Sequence, residues 1–284
     1  MKLYEQKLQA CALPNCQSHY IATKAGQTHV IETGDASKTV MILLHGINAG
    51  APVALEAVKA LYTKYRIFAV DSIGQATKSA ETRLSVKDNS YGIWLGEVMS
   101  GLNVDKAAVV GISYGGFLLQ KLIMAHPEKV SKAIFIVPGG VVNSDFAQSI
   151  RHLFFPLMRY MLTKSESHLK KFIGAFYTQI DGYAIAFQRE TLLGLKMDYT
   201  RPPLLDPKLV ESFKKPVYAM VVDNDIFFPG EACLKKLRAA FAGFKAHYIL
   251  ENSKHIPAPY QYEEISNCLD KWMQEWTLLS KTFT

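Results

Sequence analysis

Short runs of apolar, largely β-branched residues alternate along this chain with stretches of helical periodicity. This is the pattern of strands that enter a mostly parallel sheet through helical crossovers. Two runs near the start, 19–23 and 28–33, flank Ala25-Gly26 and predict an antiparallel hairpin. A strand at 39–44, a helix over 52–65 and a strand at 66–70 follow. Next come a helix at 91–101, a strand at 107–111 and a helix at 114–125. His126-Pro127 ends that helix, because proline disfavours helical backbone in the residue before it. After a strand at 131–137 the alternation breaks. From 139 to 207 the pattern is helical, dense in Phe, Tyr, Leu and Met, with no convincing strand. It resumes with a strand at 217–222, a helix at 231–241, a strand at 246–250 and a closing helix at 260–279. The expected organisation is one α/β core domain built from 1–138 and 208–284, interrupted by a helical cap insertion at 139–207. No internal repeat, low-complexity tract or flexible linker is visible.

Composition changes this picture little. The 284 residues are 49% apolar and 20% charged, which excludes disordered and collagen-like classes. No apolar run reaches the roughly 18 residues of a membrane span. Leu8-Gln9-Ala10-Cys11 faintly resembles a lipoprotein cleavage box, but Tyr4, Glu5, Gln6 and Lys7 occupy the place of its apolar segment, so a cytoplasmic protein is expected. Cys11, Cys16, Cys233 and Cys268 show no CxxC spacing and are expected as free thiols. The net charge of +7 comes from scattered lysines and arginines, with no run of five basic residues. It reads as a solvated basic surface, not as a nucleic-acid interface.

The chemistry begins at Gly111-Ile112-Ser113-Tyr114-Gly115-Gly116, placed after one expected strand and before one expected helix. A serine on a sharp strand-to-helix turn is forced into strained backbone angles, and side chains on its neighbours would clash, so glycines flank it. Such a turn lifts Oγ above the sheet edge and sets the Tyr114 N–H at a helix N-terminus, suited to a developing oxyanion. A serine hydroxyl needs a base. Of the eight histidines, His255 lies just after the last expected strand, on the same sheet edge as Ser113. His45 also follows a strand, but it begins the Gly46 turn and is better read as structural. Asp223 and Asp225, after the penultimate strand, are both close enough in sequence to orient the imidazole. The Gly46 turn could direct the Ile47 N–H at the same oxyanion.

Together these pieces resemble the α/β-hydrolase fold superfamily, from the His45-Gly46 loop to His255-Ile256-Pro257. The order Ser113, aspartate, His255 is that superfamily's usual order. Its acid loop commonly carries an aspartate four residues before a proline, which the resemblance matches to Asp225 and Pro229 and not to Asp223. Asp71-Ser72-Ile73-Gly74 looks like its structural Asp-x-x-Gly turn, although Ala76 departs from the Gly-x-Gly-x-Ser that often follows. The resemblance implies a mostly parallel sheet with helices on both faces, a helical cap and a serine hydrolase. Residues 26–35 and the Ser113-Tyr114-Gly115-Gly116 elbow are similar to bacterial carboxylesterases known for aryl-propionate esters. Thioester, lactone and carbon–carbon bond hydrolysis use the same apparatus, and a non-catalytic small-molecule receptor could keep the fold. A serine nucleophile speaks against dehalogenase or epoxide hydrolase chemistry. No Walker loop, HExxH or Gly-x-Gly-x-x-Gly is present, so neither metal nor organic cofactor is expected.

The insertion carries Leu153, Phe154, Phe155, Leu157, Met158, Tyr160 and Met161, too dense an apolar set for a solvated helix. Most should pack the insertion onto the core. Phe154, Phe155 and Met158 are the expected substrate-lining residues of a mainly apolar pocket for a small or medium ester.

Overall fold

A computed structural model describes residues 1–195 and 200–281. The alternating runs form one eight-stranded sheet of β1 (Gln17–Thr23), β2 (Gly26–Thr33), β3 (Val40–Leu44), β4 (Arg66–Val70), β5 (Ala107–Ile112), β6 (Val130–Ile136), β7 (Val217–Asn224) and β8 (Phe244–Lys254). Their lateral order is β1-β2-β4-β3-β5-β6-β7-β8. The β1–β2 hairpin and the β2–β4 pair are antiparallel, and the other neighbours are parallel. The helices are α1 (Lys2–Ala10), α2 (Ala51–Ala57), α3 (Ser90–Gly101), α4 (Tyr114–Ala125), α5 (Phe146–Ser149), α6 (Phe155–Thr163), α7 (Glu166–Ile173), α8 (Gly182–Gly194), α9 (Gly230–Ala240) and α10 (Tyr262–Lys281).

Because helices cover both faces, the central strands β3 and β5 are apolar at every position instead of alternating with polar residues. Ile42, Leu44, Phe68 and Val70 pack on one side with Trp94, Phe117 and Leu234 of α3, α4 and α9. Met41, Leu43, Ile67 and Ala69 point the other way, onto Tyr4, Leu55 and Trp272 of α1, α2 and α10.

Several strands run longer than expected, β8 most of all at Phe244–Lys254, and two helices differ from the sequence reading. The helix expected over 52–65 stops at Ala57, where Val58 leaves helical angles at φ −122° and ψ 20° and a short 3₁₀ turn follows. The Tyr62 hydroxyl donates to the Leu55 carbonyl at 2.7 Å and closes that shortened end. Nothing in the hydrophobic pattern signalled α1, whose single buried residue is Tyr4. That residue's hydroxyl donates to Asp71 Oδ2 at 2.7 Å, beside His29 Nδ1 at 2.8 Å, while the Ala51 N–H reaches Oδ1 at 2.8 Å. The Asp71 turn thus ties α1, β2 and α2 together behind the sheet edge. Gly74 gives it the reversal, at φ +74°. All four cysteines are free.

Between β6 and β7 the chain forms α5, a π-helical turn (Ile150–Phe154), α6, α7 and α8, while residues 196–199 of that stretch lie outside the described residues. Leu153, Leu157, Tyr160, Phe172 and Phe176 build a separate apolar cluster there, which also takes in Phe227 and Ile256 of the core.

The β5–α4 junction is backbone against backbone. Ser113 sits at φ 53° and ψ −115°, a left-handed conformation that costs a non-glycine residue of order 1–3 kcal/mol. A Cβ on Gly115 would lie 2.3 Å from the Leu44 carbonyl oxygen, and one on Gly111 would lie 2.4 Å from the Gly115 carbonyl oxygen. Gly115→Ala should therefore destabilise the fold by about 1–3 kcal/mol through overpacking, read as a lower urea midpoint with an unchanged slope. An unchanged midpoint would mean that α4 is free to slide.

His45 is fully buried. Its Nδ1–H donates to the Gly46 carbonyl at 2.6 Å and its Nε2 accepts the Ser72 N–H at 2.9 Å, which assigns the neutral tautomer. Burial lowers its pKa, and the nearby Asp71 carboxylate offsets this only in part. The unfolded chain then binds a proton that the folded one refuses, so this contribution to stability is present above about pH 6.5 and is lost as pH falls below it. Unfolding midpoints measured against pH should decline on the acid side from there. His45→Gln, which keeps an acceptor for Ser72, should flatten part of that decline.

Candidate active site

Three loops at the carboxyl ends of parallel strands converge. Ser113 follows β5, Asp225 follows β7 and His255 follows β8. Ser113 Oγ lies 2.9 Å from His255 Nε2, and His255 Nδ1 lies 2.8 Å from Asp225 Oδ2. The second carboxylate oxygen of Asp225 accepts the N–H groups of Phe227 at 2.8 Å and Phe228 at 3.0 Å. Both oxygens are thereby fixed, and the side chain is 1% exposed. Asp223 points elsewhere. Its two oxygens accept the backbone N–H groups of Asn252 and Ser253, both at 2.9 Å, and so clamp the end of β8. Burial pushes the Asp223 carboxyl up, but those amides outweigh it and hold it below the ordinary range.

The imidazole of His255 is boxed by two aromatic rings, Phe227 at 5.0 Å and Phe228 at 5.4 Å between centroids, each edge to face. Sequence reasoning missed both. Their signal was present as two consecutive phenylalanines in a loop, where apolar side chains need a reason to be. It also missed the role of the segment after α7. The Ile256 N–H donates to the Phe176 carbonyl at 2.9 Å and the Thr178 N–H to the Ile256 carbonyl at 3.0 Å. Thr178 Oγ1 further accepts the Lys254 N–H at 2.8 Å. The β6–β7 excursion thus holds the histidine loop on both sides.

The loop after β3 lies against the serine, since a Cβ on Gly46 would stand 3.4 Å from Ser113 Cβ and 3.9 Å from Oγ. Ile47 follows that glycine, and Tyr114 is the first residue of α4, where helix N–H groups carry partial positive charge. Asn48, at φ 54°, donates its N–H to Gln75 Oε1 at 2.5 Å, which pins the loop to the turn after β4. Behind the serine, Val137 takes φ 41°, an outlier for a β-branched residue, and the Gly139 N–H donates to the Ser113 carbonyl at 2.8 Å.

Phe154, Phe155 and Met158 are not on the packed side of their helical stretch. They stand 52%, 61% and 42% exposed, while Leu153, Leu157 and Tyr160 face the cluster that reaches Phe227 and Ile256. Apolar density placed all six in one set, and only packing separates the two sides. A cleft of about 440 Å³ opens between α1, the loop after β3 and α8, lined by Tyr4, Asn48, Ala76, Tyr183 and Phe187 among others. Among the described residues no cluster of His, Cys, Asp or Glu could hold a metal ion, and no helix is long and apolar enough to cross a membrane.

The chain is 34% identical over 124 residues to the uncharacterized carboxylesterase nap of Bacillus subtilis, covering 44% of this chain and 41% of that protein. It is 23% identical over 273 residues to carboxylesterase YbfK of the same organism, covering 93% of this chain and 89% of the relative. The crystal structure of naproxen esterase from Bacillus subtilis superposes with a TM-score of 0.81 at 19% identity over 96% of both chains. The profile of the alpha/beta hydrolase fold matches residues 39–213. With its eight-stranded sheet and its serine elbow, the chain belongs to the alpha/beta hydrolase fold family.

Proposed function

We propose that this protein is a serine carboxylesterase that cleaves a small or medium, mainly apolar ester through an acyl-enzyme intermediate. The observation that carries the reading is the continuous hydrogen-bonded relay from Asp225 through His255 to Ser113. Ser113 Oγ attacks the ester carbonyl carbon while His255 Nε2 takes its proton. Asp225 holds the Nδ1 proton in place and stabilises the imidazolium. The Ile47 and Tyr114 N–H groups hold the oxyanion of the tetrahedral intermediate. His255 returns its proton to the departing alkoxide, and the alcohol leaves. Water then enters, gives a proton to His255, and its oxygen attacks the acyl carbon. Collapse, with His255 passing that proton to Ser113 Oγ, releases the carboxylic acid and restores the serine hydroxyl.

The curated relatives named as carboxylesterases support the ester as substrate. Residues 139–207 act as the cap in this reading, since part of that segment pairs with the histidine loop. Phe227 and Phe228, which flank His255, are better placed as apolar walls than the exposed Phe154 and Phe155.

Turnover of a p-nitrophenyl ester should fall about 10⁶-fold in Ser113→Ala, and about as far in His255→Ala, because the two act as a unit. Asp225→Asn should cost about 10⁴-fold, since the imidazole then favours the wrong tautomer. Asp223→Asn should cost about tenfold or less, because it loosens a turn and leaves the relay intact. More than a few per cent residual activity in Ser113→Ala would remove the serine from its role, and a reversed aspartate pair would transfer the acid's role to Asp223.

A series of esters of increasing acyl length should show graded selectivity, each methylene changing kcat/KM by no more than about 10–200-fold. Neutral esters should outperform carboxylated esters of equal size at both low and high salt. A strong preference for the anionic series that disappears with salt would overturn the apolar pocket.

A further inference from the structure

The helical stretch from α5 through α6 has two apolar sides, and the fold uses one of them. Leu153, Leu157 and Tyr160 are packed inward. On the other side stand Phe154, Phe155, Met158 and Met161, joined by Phe146 at 73% exposure and Leu162 at 80%. Residues 154, 158, 161 and 162 are three or four apart and so share a strip of helix surface. The Phe154 and Phe155 rings touch, with centroids 5.7 Å apart. Scattered exposed apolar residues need no explanation, but a contiguous strip of this size marks a surface that something covers.

Charge identifies the cover. Residues 146–165 hold Arg151, Arg159 and Lys164 and no aspartate or glutamate. Glu166, the next acid, is taken by Lys170 and Arg189. On the other flank Asp145 caps α5 by accepting the Gln148 N–H. Among the described residues no ion pair involves Arg151 or Arg159, while the Lys164 ammonium is turned to Met161 Sδ at 3.7 Å and the Tyr160 ring. The long stems of the two arginines can lie along the apolar strip while their heads reach phosphate. Phenylalanine, leucine and methionine on one side with unpaired cations beside them is the composition of a helix that lies in the headgroup plane of an anionic membrane. Among the described residues no helix is long and apolar enough to cross one, and the net charge of +7 favours approach.

We propose that the exposed face of 146–164 docks this protein reversibly onto anionic lipid surfaces. The docking does not depend on the chemistry proposed for Ser113. The two are linked by packing, because the inner side of α6 belongs to the cluster that contains Phe227 and Ile256, the neighbours of Asp225 and His255.

The test is co-sedimentation of the full chain with vesicles of ether-linked phosphatidylglycerol, which an esterase cannot degrade, against ether-linked phosphatidylcholine. The protein should sediment with the anionic vesicles at low salt and release as salt rises. Arg151→Glu with Arg159→Glu should weaken binding at least about twenty-fold, since each cation near such a surface contributes about fivefold. Phe146→Ser with Leu162→Ser should weaken it about tenfold or more. Both double variants should melt like the parent and hydrolyse a short water-soluble ester at the parent's rate, which separates lost docking from lost folding. Absence of sedimentation with phosphatidylglycerol, or binding that neither variant alters, would overturn the proposal. So would a dimer in analytical ultracentrifugation that Leu162→Ser dissociates, since a second copy would then be what covers the face.

Discussion

Close backbone contact at the β5–α4 junction is the constraint on which the rest of the site depends. For Ser113 to project from a strand-to-helix turn, α4 must pass so near β3 and β5 that Gly111 and Gly115 leave no room for a Cβ. The serine itself is held at φ 53°, a conformation that the surrounding contacts must over-determine. They do so from two sides. The Ser113 N–H donates to the Ile136 carbonyl at 2.9 Å, and the Gly139 N–H returns to the Ser113 carbonyl. The strain at Val137, in the same turn, belongs to this arrangement.

The remaining groups are aligned on that fixed point through backbone contacts more than through side-chain pairs. Asp225 is locked by two amides of its own loop before it meets His255. The histidine loop is strapped by Asp223 on one side and by the Phe176–Thr178 segment on the other. Reactive geometry must hold within a fraction of an ångström for a relay to work, and amide hydrogen bonds from separate elements supply that rigidity. The excursion between β6 and β7 therefore does more than bring apolar surface. It is part of the scaffold of the imidazole.

The two apolar sides of α6 carry different duties. The inner one joins a cluster that takes in Phe227 and Ile256 of the Asp225 and His255 loops, and the outer one is left to solvent beside Arg151 and Arg159. A helix buried on only one side of a two-sided apolar pattern departs from the usual economy of a surface helix, which places polar residues outward. That departure is what points beyond the isolated molecule.

Hydrophobic pattern and turn chemistry determined the strand sequence, the break after β6 and the elbow, because these are properties of neighbours along the chain. The limits of β4 and α4 coincide with those read from the pattern alone, since a proline, a glycine or the end of an apolar run marks them locally. Ser113 and His255 were legible as strand-end residues, and the choice of Asp225 over Asp223 rested on a spacing to Pro229. What decides that choice physically is where each carboxylate points, and both lie in one short loop. Only tertiary structure settles that. It also decided α1, whose one buried side chain is recruited by Asp71 sixty-seven residues away, and the ending of α2, set by a tyrosine that folds back onto it. The two sides of α6 look alike in sequence because Leu, Phe and Met are equally apolar. Which of them is buried depends on what packs against the helix, and a linear pattern holds no record of that.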